Sequence, residues 1–221
     1  MEHVRIATFD VREGLVAQVA EPLQGPGGLI EIFSGEPGFR TYALIEVDPV
    51  TCISVSVWES HEEAEHATNQ AAEWVATHMG HRVHRTNNVV GDALFWVGVA
   101  SEGDASAPLS AEDAKKMNHV RIATYEVVEG VASQVAEVVR APGGMVDIWK
   151  AEPGFRGYTL IEIDPLTLVS VSVWETHDEA EHATRQAAEW VVTHLGSRVH
   201  RTANAVGDAV FWVGAGGSSA A

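Results

Sequence analysis

His3-Val4-Arg5-Ile6-Ala7-Thr8 returns 116 positions later as His119-Val120-Arg121-Ile122-Ala123-Thr124. Working outward from that segment, Glu36-Pro37-Gly38-Phe39-Arg40 returns as Glu152-Pro153-Gly154-Phe155-Arg156, and Ser54-Val55-Ser56-Val57-Trp58-Glu59 as Ser170-Val171-Ser172-Val173-Trp174-Glu175. The offset holds without a gap from His3 to Gly98, and roughly two thirds of the aligned positions are identical. Such self-similarity is the mark of a duplicated structural unit. Met117 stands opposite Met1 and reads as the start of a fused second copy. The expected organisation is a first domain over 1–98, a linker over 99–116 and a second domain over 117–214. A frayed tail is expected over 215–221. The linker contains the small, polar run Ser101-Glu102-Gly103-Asp104-Ala105-Ser106-Ala107-Pro108.

Each copy reads β-α-β-β-α-β. His3–Asp10 alternates as a strand does. Glu13–Leu23 is helical and stops near Pro22 and the Gly25-Pro26-Gly27-Gly28 break; Val138 replaces Pro22 in copy two and predicts a longer helix there. Leu29–Phe33 is a short second helical piece. Phe39–Val47 and Thr51–Glu59 make a hairpin across Asp48-Pro49-Val50. Ser60-His61-Glu62-Glu63 is a capping box opening a helix to about Met79, and Ala93–Val97 is the last strand. This order is ferredoxin-like. Val4, Ile6, Ile53, Val55 and Val57 fall on one sheet face, and His3, Arg5, Ser54, Ser56 and Trp58 on the other. Helices on one face leave the apolar face needing a partner. The expected fold is therefore α+β: two ferredoxin-like domains packed sheet to sheet as an intramolecular pseudo-dimeric α+β barrel.

Composition bounds the function. The chain has 221 residues and a formal charge of −17, which argues against nucleic acid or an anionic membrane as partner. No apolar run reaches the ~18 residues of a membrane span, and no secretory leader is visible at Met1–Arg5. A single cysteine, Cys52, excludes an internal disulfide and a cysteine-rich zinc site. The expected location is the cytoplasm.

Pro37-Gly38-Phe39-Arg40, a hairpin, then Val57-Trp58-Glu59-Ser60 before an Ala- and Glu-rich helix resembles the antibiotic biosynthesis monooxygenase family; copy two carries the same signature. The resemblance covers both copies and implies a dimeric α+β barrel acting on a small molecule. Relatives include cofactor-free quinone-forming oxygenases, haem-degrading oxygenases, isomerases and proteins with no known reaction. The strand tryptophan of the quinone-forming group falls on Trp58 and Trp174, but its asparagine falls on Ser54 and Ser170 and its helix tyrosine on Ala64 and Ala180. The iron-ligating histidine of the haem degraders lies near His78 and His194, while their first-strand asparagine falls on Ala7 and Ala123. The implied function is a cofactor-independent monooxygenase that uses dioxygen on an aromatic or polyketide-type substrate, with no cofactor. Two alternatives are a haem-binding or haem-degrading protein using His78 and His194, and a non-catalytic small-molecule binder.

His66, Gln70, Trp74 and His78 form a stripe at helical spacing, repeated as His182, Gln186, Trp190 and His194. His78 and His194 are candidate general bases, since an imidazole titrates near neutrality; the alternative is a solvated helix end. Trp58 and Trp174 are candidate catalytic walls for a planar substrate, or core packing under the helix start. His3, Arg5, Ser54, Ser56 and Trp74, with His119, Arg121, Ser170, Ser172 and Trp190, are the candidate substrate-binding set, lining a pocket between sheet and helices. Arg40 and Arg156 are expected to pair with Glu46 and Glu162 or to meet substrate oxygens. Phe95-Trp96 and Phe211-Trp212 read as core or inter-copy contact. Histidine spacing supports no metal: His61 and His66 point apart, and Ser197 replaces His81. The partners expected are the aromatic substrate and dioxygen, with the pseudo-dimer inside one chain and a further homodimer open. Phe9 against Tyr125, Asn69 against Arg185 and His81 against Ser197 predict that the two pockets differ.

Overall fold

A computed structural model describes residues 2–98 and 119–214. The linker and tail segments lie outside the described residues. Strands run β1 His3–Val11, β2 Phe39–Asp48, β3 Thr51–Trp58, β4 Val83–Gly98, β5 His119–Val127, β6 Phe155–Asp164, β7 Thr167–Trp174 and β8 Val199–Gly214. Helices are α1 Val16–Gln24, α2 Leu29–Ser34, α3 His61–His78, α4 Ala132–Arg140, α5 Met145–Lys150 and α6 His177–His194. The fold class is the expected α+β one, with the short second helix inserted in each ferredoxin-like copy.

The chain divides into two compact units that do not break at residue 98. Residues 2–92 with 208–214 form one unit; residues 93–98 with 119–207 form the other. The long strands β4 and β8 thus each contribute to both. In unit one the strand order is β4-β1-β3-β2-β8, all antiparallel. In unit two it is β8-β5-β7-β6-β4. Among the described residues no helix is long and apolar enough to cross a membrane.

The local chemistry explains the elements. Ser60 accepts the Glu63 backbone N–H at 3.2 Å while the Glu63 carboxylate accepts the Ser60 N–H at 2.9 Å, so α3 starts on the expected capping box. Gly38 just before β2 has φ +75, and a Cβ there would run into the Glu63 carboxylate; the Pro-Gly-Phe motif is thereby tied to the cap of α3. The longer first helix expected in copy two is not observed: α1 and α4 each span nine residues. Both stop before Pro26 or Pro142, where the preceding residues Gly25 and Ala141 are extended. The Pro22 to Val138 change lies inside the helix and leaves that stop in place. β4 and β8 are far longer than the expected Ala93–Val97 strand, at sixteen residues each. Arg40 and Arg156 pair with Glu59 and Glu175 instead of Glu46 and Glu162, because the hairpin register sets Phe39 against Trp58 and Phe155 against Trp174.

Unit one packs a core between its strands and helices from Val16, Leu23, Phe33, Phe39, Tyr42, Trp58 and Trp74. Unit two does the same with Val135, Met145, Trp149, Phe155, Tyr158, Trp174 and Trp190. The opposite strand face is buried as well, at Val4, Ile6, Ile53, Val55 and Val57. Phe211 stacks on Tyr42 at 5.8 Å within unit one and Phe95 meets Tyr158 at 5.6 Å within unit two, while Trp96 is exposed.

Candidate functional site

β1 and β3 place Arg5, Ala7, Ser54 and Ser56 on the face that α3 covers, because Arg5 opposes Ser56 and Ala7 opposes Ser54 in the register. Arg5 is 1% exposed. Its Nε donates to Thr68 Oγ1 of α3 at 3.0 Å and its Nη1 to Ser54 Oγ at 3.4 Å. Its Nη2 has no hydrogen-bond partner among the described residues. Burial holds the guanidinium below its usual value, at about 10, so it remains a cation near neutrality. It has no carboxylate partner among the described residues. A buried charge without a counter-charge is costly.

Copy two solves the same problem differently. Arg121 Nε donates to Thr184 at 3.0 Å, Nη1 to Ser170 at 3.2 Å, and Nη2 to the Tyr125 hydroxyl at 3.0 Å. Tyr125 stands where copy one has Phe9. The phenol of copy two thus occupies the donor that copy one leaves open.

Beside Tyr125 and Ser170 lies a cavity of about 30 Å³, lined also by Trp149, Tyr158, Leu160 and Trp190. That volume suits a water or two. The indole N–H groups of Trp149 and Trp190 are buried and have no partner among the described residues. In copy one Phe33 replaces Trp149, and Trp74 donates its N–H to Gly27 O at 3.0 Å. The copies therefore differ: an unpaired guanidinium donor in the first, a small aromatic cavity with two unpaired donors in the second.

The other expected residues are placed as follows. Trp58 is fully buried, donates to Ser56 Oγ at 2.9 Å, and packs edge-on to Phe33 and Phe39. Trp174 repeats this with Ser172, Trp149 and Phe155. Both indoles are packed into the core. His78 is exposed; its Nδ1 lies 2.9 Å from Trp74 O and its ring stacks on Trp74 at 4.7 Å. His194 does the same on Trp190 at 3.0 and 4.6 Å. A carbonyl only accepts, so Nδ1 carries the proton and Nε2 of the neutral ring keeps its lone pair. His3 pairs with Asp92 at 2.7 Å, and His119 meets the His177 ring edge-on at 5.8 Å. The fold thus joins Arg5 to Ser54 and Arg121 to Ser170, and sets Trp190 on the same cavity as Ser170. It gives His3, Ser56, Trp58 and His78 other bonding partners.

Sequence reasoning missed Thr68, Thr184 and Tyr42. Thr68 and Thr184 sit seven residues into α3 and α6, and only the assembled helix–strand packing brings them to the guanidinium. The fold also gathers His3, His61 and Asp92, residues from three separate elements that no sequence spacing brings together.

Tyr42 lies on β2, hydrogen-bonded to Ser54. Burial pushes its phenol and that of Tyr158 well above the ordinary value of 10. A raised folded-state value means that the folded chain keeps protons the unfolded chain loses. Each group's contribution is complete below pH 10 and is lost as the pH rises above it. In an alkaline titration the phenolate absorbance of these two of the three tyrosines will therefore rise together with loss of the far-UV circular dichroism. A phenolate signal from both that precedes unfolding would show that they are not buried.

No protein-family model matches the chain, and no curated protein matches it. Solved structures do. An anthrone oxidase-like protein aligns over 99% of this chain and 96% of its own, at TM-score 0.63 and 15% identity. A Fusobacterium nucleatum protein described as a candidate monooxygenase aligns over 98% and 96%, at 0.64 and 13%. A haem-binding protein from Thermus thermophilus aligns over 94% and 90%, at 0.56 and 11%. At these identities the likeness establishes the fold, and it extends over both copies.

A haem iron would be held through Nε2 of His78 or His194, since each ring lies on its own helix's tryptophan with Nδ1 on a main-chain carbonyl, which leaves Nε2 as the free nitrogen. The cavity of about 30 Å³ against Trp190 is far smaller than a haem.

Proposed function

We propose that the chain is a cofactor-independent oxygenase that oxidises an aromatic or polyketide-type molecule bearing an acidic phenol or enol, using dioxygen. The observation that carries this reading is the buried Arg5 guanidinium with an unpaired Nη2 and no carboxylate, on the sheet face beneath α3. A fixed cation in a dry site stabilises an oxyanion as it forms. The monooxygenase-like names among the structural neighbours support the same class.

In this mechanism Arg5 Nη2 donates to the substrate oxygen, which makes the adjacent C–H or O–H more acidic. The proton leaves to a base; the proposed bases are Nε2 of His78 in copy one and of His194 in copy two, reached by way of water, because about 15 Å of α3 separates His78 from the Thr68 that holds Arg5. The resulting carbanion gives one electron to dioxygen, and the radical pair joins to form a C–O bond. The O–O bond of that peroxide then breaks. A methylene becomes a carbonyl, and its two hydrogens leave as one water with the second oxygen atom. Trp58 and Trp174 serve by holding the strand end under the helix cap. The cavity beside Tyr125 is too small for a ring system and lies in the copy whose arginine donor Tyr125 already fills, so the proposed site is the Arg5 side of copy one. The acidic surface and lone cysteine support a cytoplasmic enzyme.

Oxygen uptake with anthrone, the compound in one neighbour's name, and with other phenols or enols carrying an activated methylene tests this. Saturable uptake without added flavin or metal, yielding quinone, is the expected result. Tryptophan quenching by these compounds with no uptake from any of them would make the chain a binding protein instead.

A further inference from the structure

Three side chains outside that site converge from separate elements of unit one: His3 at the start of β1, His61 as the first residue of α3, and Asp92 on β4. Each has one ligand-capable atom within 4.8 Å of the others'. His3 Nδ1 lies 2.7 Å and His61 Nδ1 3.7 Å from Asp92 Oδ1. The two rings are 5.8 Å apart and nearly perpendicular.

We propose that His3, His61 and Asp92 form a binding site for a divalent transition-metal ion of the Zn²⁺ class. Zn²⁺ takes histidine nitrogen and carboxylate oxygen at about 2.0–2.2 Å, which puts tetrahedral donors about 3.4 Å apart and ligating rings about 5 Å apart. The donor separations of 2.7 and 3.7 Å fall either side of 3.4 Å, the rings stand somewhat wider than 5 Å, and a small rotation of the half-exposed His61 closes the difference. Three protein ligands leave a fourth position for water, as in an open site. The far nitrogen of His61, Nε2, lies 3.5 Å from Glu65 Oε1. A carboxylate behind a ligating imidazole fixes its tautomer and raises its basicity. That arrangement separates a metal site from a plain His–Asp pair, which would explain His3 and Asp92 but not a second imidazole turned with one nitrogen to Asp92 and the other to Glu65.

The same residue types recur in copy two. His119 and His177 meet at 5.8 Å and 89°, and His177 Nε2 lies 3.7 Å from Glu181. Asp208 is the counterpart of Asp92 at the 116 offset. The register explains the convergence in copy one: His3 opposes Asp92 across β1 and β4 and Trp58 across β1 and β3, and His61 follows Trp58 by three residues, just past the capping Ser60.

The test is calorimetric titration of the untagged, chelator-stripped full chain with ZnCl₂, with Co²⁺ visible spectra as a second readout. The parent is expected to bind Zn²⁺ saturably with a micromolar or tighter Kd. His61→Ala removes an exposed side chain and will fold; it should bind one ion fewer. Asp92→Asn should do the same and also weaken the Co²⁺ bands, and Glu65→Gln should weaken binding by about 10–100-fold. A parent with no saturable Zn²⁺ binding would overturn the proposal. So would His61→Ala and Asp92→Asn chains that bind as many ions, as tightly, as the parent.

Discussion

Arg5→Met will leave the chain at least as stable as the parent and will abolish oxygen uptake. The guanidinium has only neutral partners, Thr68 and Ser54, and one donor with none among the described residues. Methionine keeps the volume and removes the desolvated charge; replacing buried charge with apolar side chains is neutral or stabilising by up to about 4 kcal/mol. Thr68 loses little, because its hydroxyl still donates to Ala64 O at 3.0 Å. Binding of an oxyanion, by contrast, loses its one charged donor, at a cost of about 100-fold or more in affinity. Phe9→Tyr is the complementary change. It offers Arg5 the phenol that Tyr125 offers Arg121, which should stabilise by about 1.5–3 kcal/mol while filling the donor the substrate needs. Urea midpoints and the oxygen electrode read the two effects separately. An Arg5→Met chain that is several kcal/mol less stable and still consumes oxygen would make Arg5 a structural residue.

Trp58→Ala will cost about 3–5 kcal/mol, a large share of the ~5–15 kcal/mol that holds a domain together. The indole is 0% exposed, lies 5.2 Å from Phe33 and 5.3 Å from Phe39, and donates to Ser56. Truncation leaves a cavity where strand, hairpin and α2 meet, and deprives the buried Ser56 hydroxyl of its donor. A tryptophan facing an open substrate cleft would behave otherwise, with a small loss of stability and a large loss of turnover. Denaturant unfolding of Trp58→Ala beside Trp58→Phe decides between them. A midpoint within ~0.5 kcal/mol of the parent for the alanine variant would return Trp58 to the substrate wall.

The duplication made most of the fold legible. Elements with strong period-2 or helical patterns, such as β3 and α3, fall within a residue or so of their expected ends. The first ten residues of β4 did not announce themselves. His84, Arg85, Thr86 and Asn87 are all polar and exposed, so there is no alternation to read, and Asn87-Asn88 and Gly91 look like turn residues. Backbone hydrogen bonding to β1 makes the strand regardless, with a register shift at Thr8/Phe9. At the site, Arg5 and Ser54 were visible because the strand alternation of β1 and β3 puts both on one face. The Thr68 hydroxyl's approach to Arg5 and the meeting of His61 with Asp92 depend on tertiary packing between residues 31 to 63 apart, which no local period encodes.

The division of β8 between the units also bears on the order of synthesis. In unit one β2 pairs with the end of β8, Thr41 opposite Gly214. A ribosome translating at about 5–20 residues per second finishes β2 on the order of ten seconds before its neighbour emerges. Throughout that interval the nascent first copy carries an unpaired strand edge, which is a template for pairing with another chain. Completion of the first sheet is thus deferred until the end of β8 has emerged.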